Sequence, residues 1–144
     1  MAVDQGQKTL GLAVCDRART IATPLTTITR TKFTQDAEAL LALYDERDCV
    51  GLIMGLPIHM DGGDGRRAQS ARSFVTNLLR LRDIPIAYQD ERLSTFAATE
   101  ALIEAGVKPS HRKAKVDAQA AAIILDGALA RIAEAASPSE SQTP

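Results

Sequence analysis

The sequence predicts an α/β domain: a mixed five-stranded sheet flanked by helices. Three observations predict it. Three strand patterns follow one another from the N-terminus, with links too short for a crossover, so they form an antiparallel meander. From Phe33 onward the apolar period switches between helical and extended, the alternation that joins parallel strands. Finally, 144 residues with 45% hydrophobic content suit one domain around a single core.

Met1 to Val3 is a short strand ending at Asp4, and Gln5-Gly6-Gln7-Lys8 is a polar turn. Only three residues precede Asp4, so either the start is misassigned or the strand is short, and a frayed strand would hold Asp4 loosely. Leu10, Leu12 and Val14 alternate with Gly11 and Ala13, giving a second strand. Thr20 to Ile28 reads as a third, and Pro24 places it at an edge or a bend. Ala37, Leu40, Leu41 and Tyr44 mark a helix over Phe33 to Asp48. Cys49 to Met54 is a continuous apolar run, the pattern of a strand buried on both faces. A Gly- and Asp-rich loop, Gly55 to Gly65, leads into a helix marked by Ala68, Ala71, Val75, Leu78 and Leu79. Ile84 to Gln89 is the fifth strand and stops at Asp90-Glu91-Arg92. Ser94 or Thr95 can cap a helix over Phe96 to Ala105, with Gly106 as its stop. Gly106 to Ala114 reads as a basic loop and Lys115 to about Glu134 as the last helix. The domain therefore covers residues 1–134, and residues 135–144, rich in Ser, Pro, Gln and Glu, form a disordered tail. This β-β-β-α-β-α-β-α-α order is that of the ribonuclease H-like fold.

Composition excludes several functions. With no Trp and 3% aromatics, a sheet that stacks exposed bases is not expected. A net charge of −1 argues against tight, unselective nucleic-acid binding, so such contacts must come from local basic clusters. Cys15 and Cys49 match no zinc spacing and read as small core residues. No signal peptide and no apolar run of bilayer length is visible, which predicts a cytoplasmic protein with no membrane partner. The Gly62 to Arg67 segment lacks the spacing and Lys-Ser/Thr ending of a nucleotide-binding P-loop. No Ser-His-Asp or Cys-His set is evident, and His59 and His111 are isolated residues in predicted loops.

Three carboxylates carry the chemistry. Asp4 ends the first strand, and Glu91 or its neighbour Asp90 ends the fifth. Asp117 falls in line with Ala121, Ile124 and Ala128, so it faces the sheet rather than solvent. A buried carboxylate must be paired or bound to a cation. A salt bridge from Asp117 to Lys113 or Arg92 is one solution. The other gathers all three carboxylates around a hard divalent ion, relieving their repulsion. Two such ions stabilise the attacking and leaving oxygens of an in-line phosphodiester cleavage.

Four stretches resemble the YqgF/RuvX family of pre-16S rRNA nucleases and Holliday-junction-resolvase-like proteins. They are Asp4-Gln5-Gly6-Gln7-Lys8-Thr9-Leu10-Gly11 continuing to Asp16; Gly55 to Gly62, followed by Gly65 and Phe74; Asp90 to Thr95; and Lys115-Val116-Asp117 with Ala120-Ala121 and Ile124-Leu125. Together they span Asp4 to about Ile132. The resemblance implies a ribonuclease H-like nuclease dependent on Mg²⁺ or Mn²⁺, with Asp4, Glu91 and Asp117 as catalytic metal ligands. It implies as substrate the 5′ end of the 16S rRNA precursor, with the small ribosomal subunit precursor as partner. The alternatives are branched DNA or RNA binding without catalysis. A resolvase making paired cuts is expected to be a symmetric homodimer, and an RNA-processing enzyme can be a monomer. Arg66 and Arg67 beside a glycine-rich turn, Arg92, and the cluster Lys108, His111, Arg112, Lys113 and Lys115 are the candidate phosphate contacts.

Overall fold

A computed structural model describes residues 1–56, 65–90 and 100–136, with only the backbone path for 109–114. The strands are β1 (Ala2–Gln5), β2 (Thr9–Cys15), β3 (Ala22–Thr29), β4 (Leu52–Leu56) and β5 (Ile86–Asp90). The helices are α1 (Phe33–Glu46), α2 (Gly65–Leu81) and α3 (Pro109–Ala136). Residues 100–104 form a further helical segment, the described part of the helix expected over Phe96 to Ala105.

The sheet order is β3-β2-β1-β4-β5. β1, β2 and β3 pair antiparallel, while β1 with β4 and β4 with β5 are parallel. The expected meander is present, and Pro24 lies in the edge strand β3, where a missing N–H breaks no internal ladder. The brevity of β1 does not leave Asp4 loose. β1 is the central strand, laddered on both sides, and Ala2 and Val3 are fully buried.

Strand alternation divides the molecule into three layers. Val3, Leu10, Leu12, Leu52 and Met54 point to one face, where they pack with Leu40 and Tyr44 of α1 and Phe74 and Leu78 of α2. Ala2 and Ala13 point to the other and meet Ala121, Ile124 and Leu125 of α3. The small side chains on this second face let α3 lie close to the sheet. At the head of α1, the buried Asp36 carboxylate accepts hydrogen bonds from the backbone N–H and hydroxyl of Thr31, which satisfies its charge.

Two expectations are corrected. The basic stretch before Lys115 is not wholly a loop, since α3 already begins at Pro109. Proline fits the first helical position, where its fixed φ is helical and no intrahelical N–H is required. The run Cys49 to Met54 is not all strand. β4 begins at Leu52, where the ladder from Pro85 and Met1 starts, and Val50 before it is 70% exposed. Gly106 does stop its helical segment: its φ is +76°, and Val107 N–H bonds to the Leu102 carbonyl.

Candidate active site

The first carboxylate is set by β1. Asp4 shares its strand face with Ala2, so it points to the α3 side, and it is only 7% exposed. Its cross-strand partner is Gly11 of β2. Gly11 explains how a helix residue reaches this point. A Cβ there would stand 2.0 Å from the Asp117 carbonyl oxygen and 2.9 Å from the Ala118 nitrogen. The backbone of α3 thus rests directly on the β2 backbone, opposite Asp4, at the level of Asp117. Glycine permits that approach because it has no side chain to displace.

Asp117 is half-buried, and its Oδ2 accepts a hydrogen bond from Thr9 Oγ1 at 2.5 Å. Thr9 lies two residues before Gly11 on β2 and so shares its face. Gly6 completes the corner. Its N–H bonds to the Thr9 carbonyl, and a Cβ on it would press on Thr9 O and Oγ1 at 3.2 and 3.3 Å. Arg30 Nη1 bonds to the Gly6 carbonyl at 2.7 Å and fixes the turn from outside. The Asp-x-Gly opening and the later Gly11 are therefore parts of one packing solution that sets Asp4 beside Asp117.

The third expected carboxylate, Glu91, and the neighbouring Arg92 lie outside the described residues. Asp90 can be placed. Ile86 and Tyr88 pack towards α1 and α2, whereas Gln89 points to α3. There Gln89 Oε1 accepts from Arg131 Nη1 at 2.6 Å, and the Gln89 side chain passes over Gly127. Asp90 shares the face of Ile86 and Tyr88, opposite to Asp4. Among the described residues no three His, Cys, Asp or Glu side chains gather as a metal-binding group. Asp4, buried, and Asp117, half-buried, lie on the same side of the β1–β2 pair, and their carboxylates offer hard oxygen, the donor type that suits Mg²⁺ or Mn²⁺ rather than zinc.

The basic residues surround the same end of the sheet unevenly. Gln5 Nε2 bonds to Ser70 Oγ at 3.3 Å, bringing the first turns of α2, with the exposed Arg66 and Arg67, to the end of β1. Lys115 is exposed two residues before Asp117, and Lys108 is exposed before α3. His111, Arg112 and Lys113 lie on the first turns of α3, where only the backbone is described, and His59 lies outside the described residues. A separate cavity of about 660 Å³ opens at the opposite end of the sheet, lined by Cys15, Arg47, Val50, Pro85 and Leu129, away from the two aspartates. Among the described residues no helix is long and apolar enough to cross a membrane.

Sequence reasoning missed Thr9 and did not see why Gly11 is there. Neither is marked by residue type. Only the β1–β2 register and the path of α3 reveal them.

This strand order, with Asp4 and Asp117 on one face of the sheet, is that of the ribonuclease H-like fold, and similarity to known proteins makes the class a nuclease. Its substrate is therefore nucleic acid. The chain belongs to the RuvX family, described as Holliday junction resolvase, whose pattern matches residues 1–131. A protein of Paramagnetospirillum magneticum named "Putative pre-16S rRNA nuclease" is 58% identical, over 90% of this chain and 83% of its own length. One of the same name from Ruegeria pomeroyi is 52% identical, over 90% and 84%. Among solved structures, T. thermophilus RuvC in complex with a Holliday junction substrate superposes with a TM-score of 0.53. It is 19% identical, over 90% of this chain and 92% of that one, and shares the fold.

Proposed function

We propose that this chain is a divalent-metal-dependent endonuclease that trims the 5′ end of the 16S rRNA precursor, with Asp4, Asp117 and Glu91 holding the metal. The observation that carries the reading is the seating of α3 on Gly11, which places Asp117 against the strand position opposite Asp4. Two carboxylates near one another on one face of the sheet repel, and a hard cation relieves that repulsion. The relatives' shared name supports the RNA substrate. Assignment of the third ligand to Glu91 is supported by the alternation of β5, which turns Asp90 to the far face.

When bound, the metal supplies an activated water and charge neutralisation at the scissile phosphate. The protein's part is to hold the carboxylates rigid. Asp4 sits on a strand paired on both sides, and Asp117 is on a helix that cannot slide without lifting off Gly11. Arg66, Arg67 and Lys115, with Arg92 and Lys113, make phosphate contacts that position the strand without reading its sequence. The nuclease domain reaches the end of α3 at Ala136, a little past residue 134, and the protein works in the cytoplasm on the small-subunit precursor as a monomer or homodimer.

A second reading takes branched DNA as substrate. It is favoured by the family description and by the junction bound to the RuvC structure of the same fold. Labelled precursor rRNA leader, plain single strands and a four-way DNA junction, each with Mg²⁺, Mn²⁺ or chelator, test both. Metal-dependent cutting of the leader, absent in Asp4→Asn and Asp117→Asn, is expected. Preferred, paired cutting of the junction by a dimer would move the assignment to DNA. Undiminished cutting by both variants would overturn the carboxylate site.

A further inference from the structure

We infer that Thr9 is a positioning residue for metal binding: its hydroxyl holds the Asp117 carboxylate in the orientation that binds the cation. The inference rests on the carboxylate reading above and adds to it a residue outside the acidic set.

The geometry is specific. Asp117 Oδ2 accepts a hydrogen bond from Thr9 Oγ1 with the two oxygens 2.5 Å apart, at the short end for a hydroxyl donor to a carboxylate and within the range of charge-assisted bonds. The bond spans 108 residues of sequence and joins strand to helix, so it does not arise from local chain geometry. It engages Oδ2 from the β2 side, so Asp117 would hold a cation with its carboxylate already oriented. Thr9 is itself held. It is β-branched, which restricts χ1, it sits at the start of a strand laddered to β1 and β3, and Gly6 packs against its hydroxyl. An aspartate side chain on a helix otherwise has two rotatable bonds, and freezing them in the free protein removes that ordering term from metal binding. Carboxylates that bind metals are commonly themselves hydrogen-bonded, and losing such a partner weakens affinity or activity about 10–100-fold.

The backbone contact and the side-chain contact have separate roles. Gly11 sets how near α3 comes. Thr9 sets which way the carboxylate turns once it is there. A valine at position 9 keeps the shape, the β-branch and the backbone pairing and removes only the donor. A serine keeps the donor and loses the methyl group.

The test measures Mn²⁺ binding to the full chain by titration calorimetry, beside the apo-protein melting temperature in chelator and kcat and KM on precursor rRNA leader. Wild type, Thr9→Val, Thr9→Ser and Asp117→Asn are compared. The expected result is Mn²⁺ affinity about 10–100-fold weaker in Thr9→Val, with kcat at fixed Mn²⁺ lowered and KM for the leader unchanged. Thr9→Ser should recover most of the lost affinity. The apo melting temperatures of Thr9→Val and Thr9→Ser should agree closely, which separates orientation from folding. Thr9→Val binding Mn²⁺ like wild type while Asp117→Asn does not would overturn this inference and leave the carboxylate site standing. Thr9→Ser as impaired as Thr9→Val would overturn it too, since the methyl group and not the hydroxyl would then matter. Asp117→Asn binding Mn²⁺ like wild type would overturn both the site and the inference.

Discussion

Asp4 and Asp117 differ from the surface carboxylates in what surrounds them. Asp4 is buried on a central strand, and Asp117 is clamped from two sides, its backbone by Gly11 and its side chain by Thr9. On the proposed metal site, replacing either by asparagine would keep the shape and remove a charged ligand. A Lewis-acid metal contributes several kcal/mol to such a transition state, so single-turnover cleavage should fall by about 10³-fold. Asp16 is a different case. It is an exposed carboxylate that caps its own loop, receiving the Ile21 N–H at 3.0 Å, the Thr20 hydroxyl at 2.6 Å and the Thr20 N–H at 2.7 Å. These donors, the Ile21 N–H foremost, lower its pKa from 3.8 to about 2. Its contribution to stability is therefore complete above the ordinary value of 3.8 and is lost as pH falls through that value towards about 2. The difference in urea midpoint between wild type and Asp16→Asn should accordingly be constant near neutrality and shrink across that window. A difference that held unchanged down to the acid end would show that the loop bonds survive protonation.

Among the elements, α3 decides the site, and two glycines test how. At Gly11 an added methyl meets backbone, which cannot swing aside, so α3 must lift. Gly11→Ala should lose at least about 1–3 kcal/mol, the range for overpacking a close contact, and should lose cleavage with it. At Gly127 an added methyl meets Gln89 Nε2 at 2.8 Å, the far end of a flexible side chain. Gln89 can turn, at the expense of its bond to Arg131, while the helix gains from alanine's better propensity. Gly127→Ala should therefore stay within about 1 kcal/mol of wild type in urea unfolding. Equal losses in the two variants would mean that the contact on Gly11 is not special.

At the scale of the whole molecule, ligand linkage and electrostatics make the predictions. A cation that binds only the folded chain raises its stability by mass action. Saturating Mn²⁺ should raise the wild-type melting temperature and leave that of Asp4→Asn unmoved, measured by calorimetric scans at matched ionic strength. The net charge is −1, so on the proposed reading nucleic acid would be held by the local clusters rather than by the overall field. Arg66→Ala combined with Arg67→Ala should lower the slope of log affinity against log salt by about 1.4–1.8, two phosphate contacts' worth. An unchanged slope would remove the start of α2 from the substrate path.

The sequence by itself determined the order of elements and the fold class, because those follow from apolar periods of two and 3.6 and from turn residues, all local signals. It marked Pro24 as an edge residue and Gly106 as a helix stop, since backbone restrictions belong to the residue. It singled out Asp4 and Asp117 as candidates, one by its place at the end of a strand and the other by its line with Ala121 and Ile124. It misplaced the start of α3, because a basic run opening on proline satisfies a loop and a helix N-terminus equally well. Only the tertiary structure decided that the short β1 is the central strand, that Asp90 faces away from Asp4, and that Thr9 and Gly11 hold Asp117 against β2 beside the Asp4 strand. Those facts depend on register and on the distance between a helix and a sheet. The register rests on pairings as distant as Val3 with Met54, and the helix position on contacts of Thr9 and Gly11 with Asp117, far along the chain, so no local pattern encodes them.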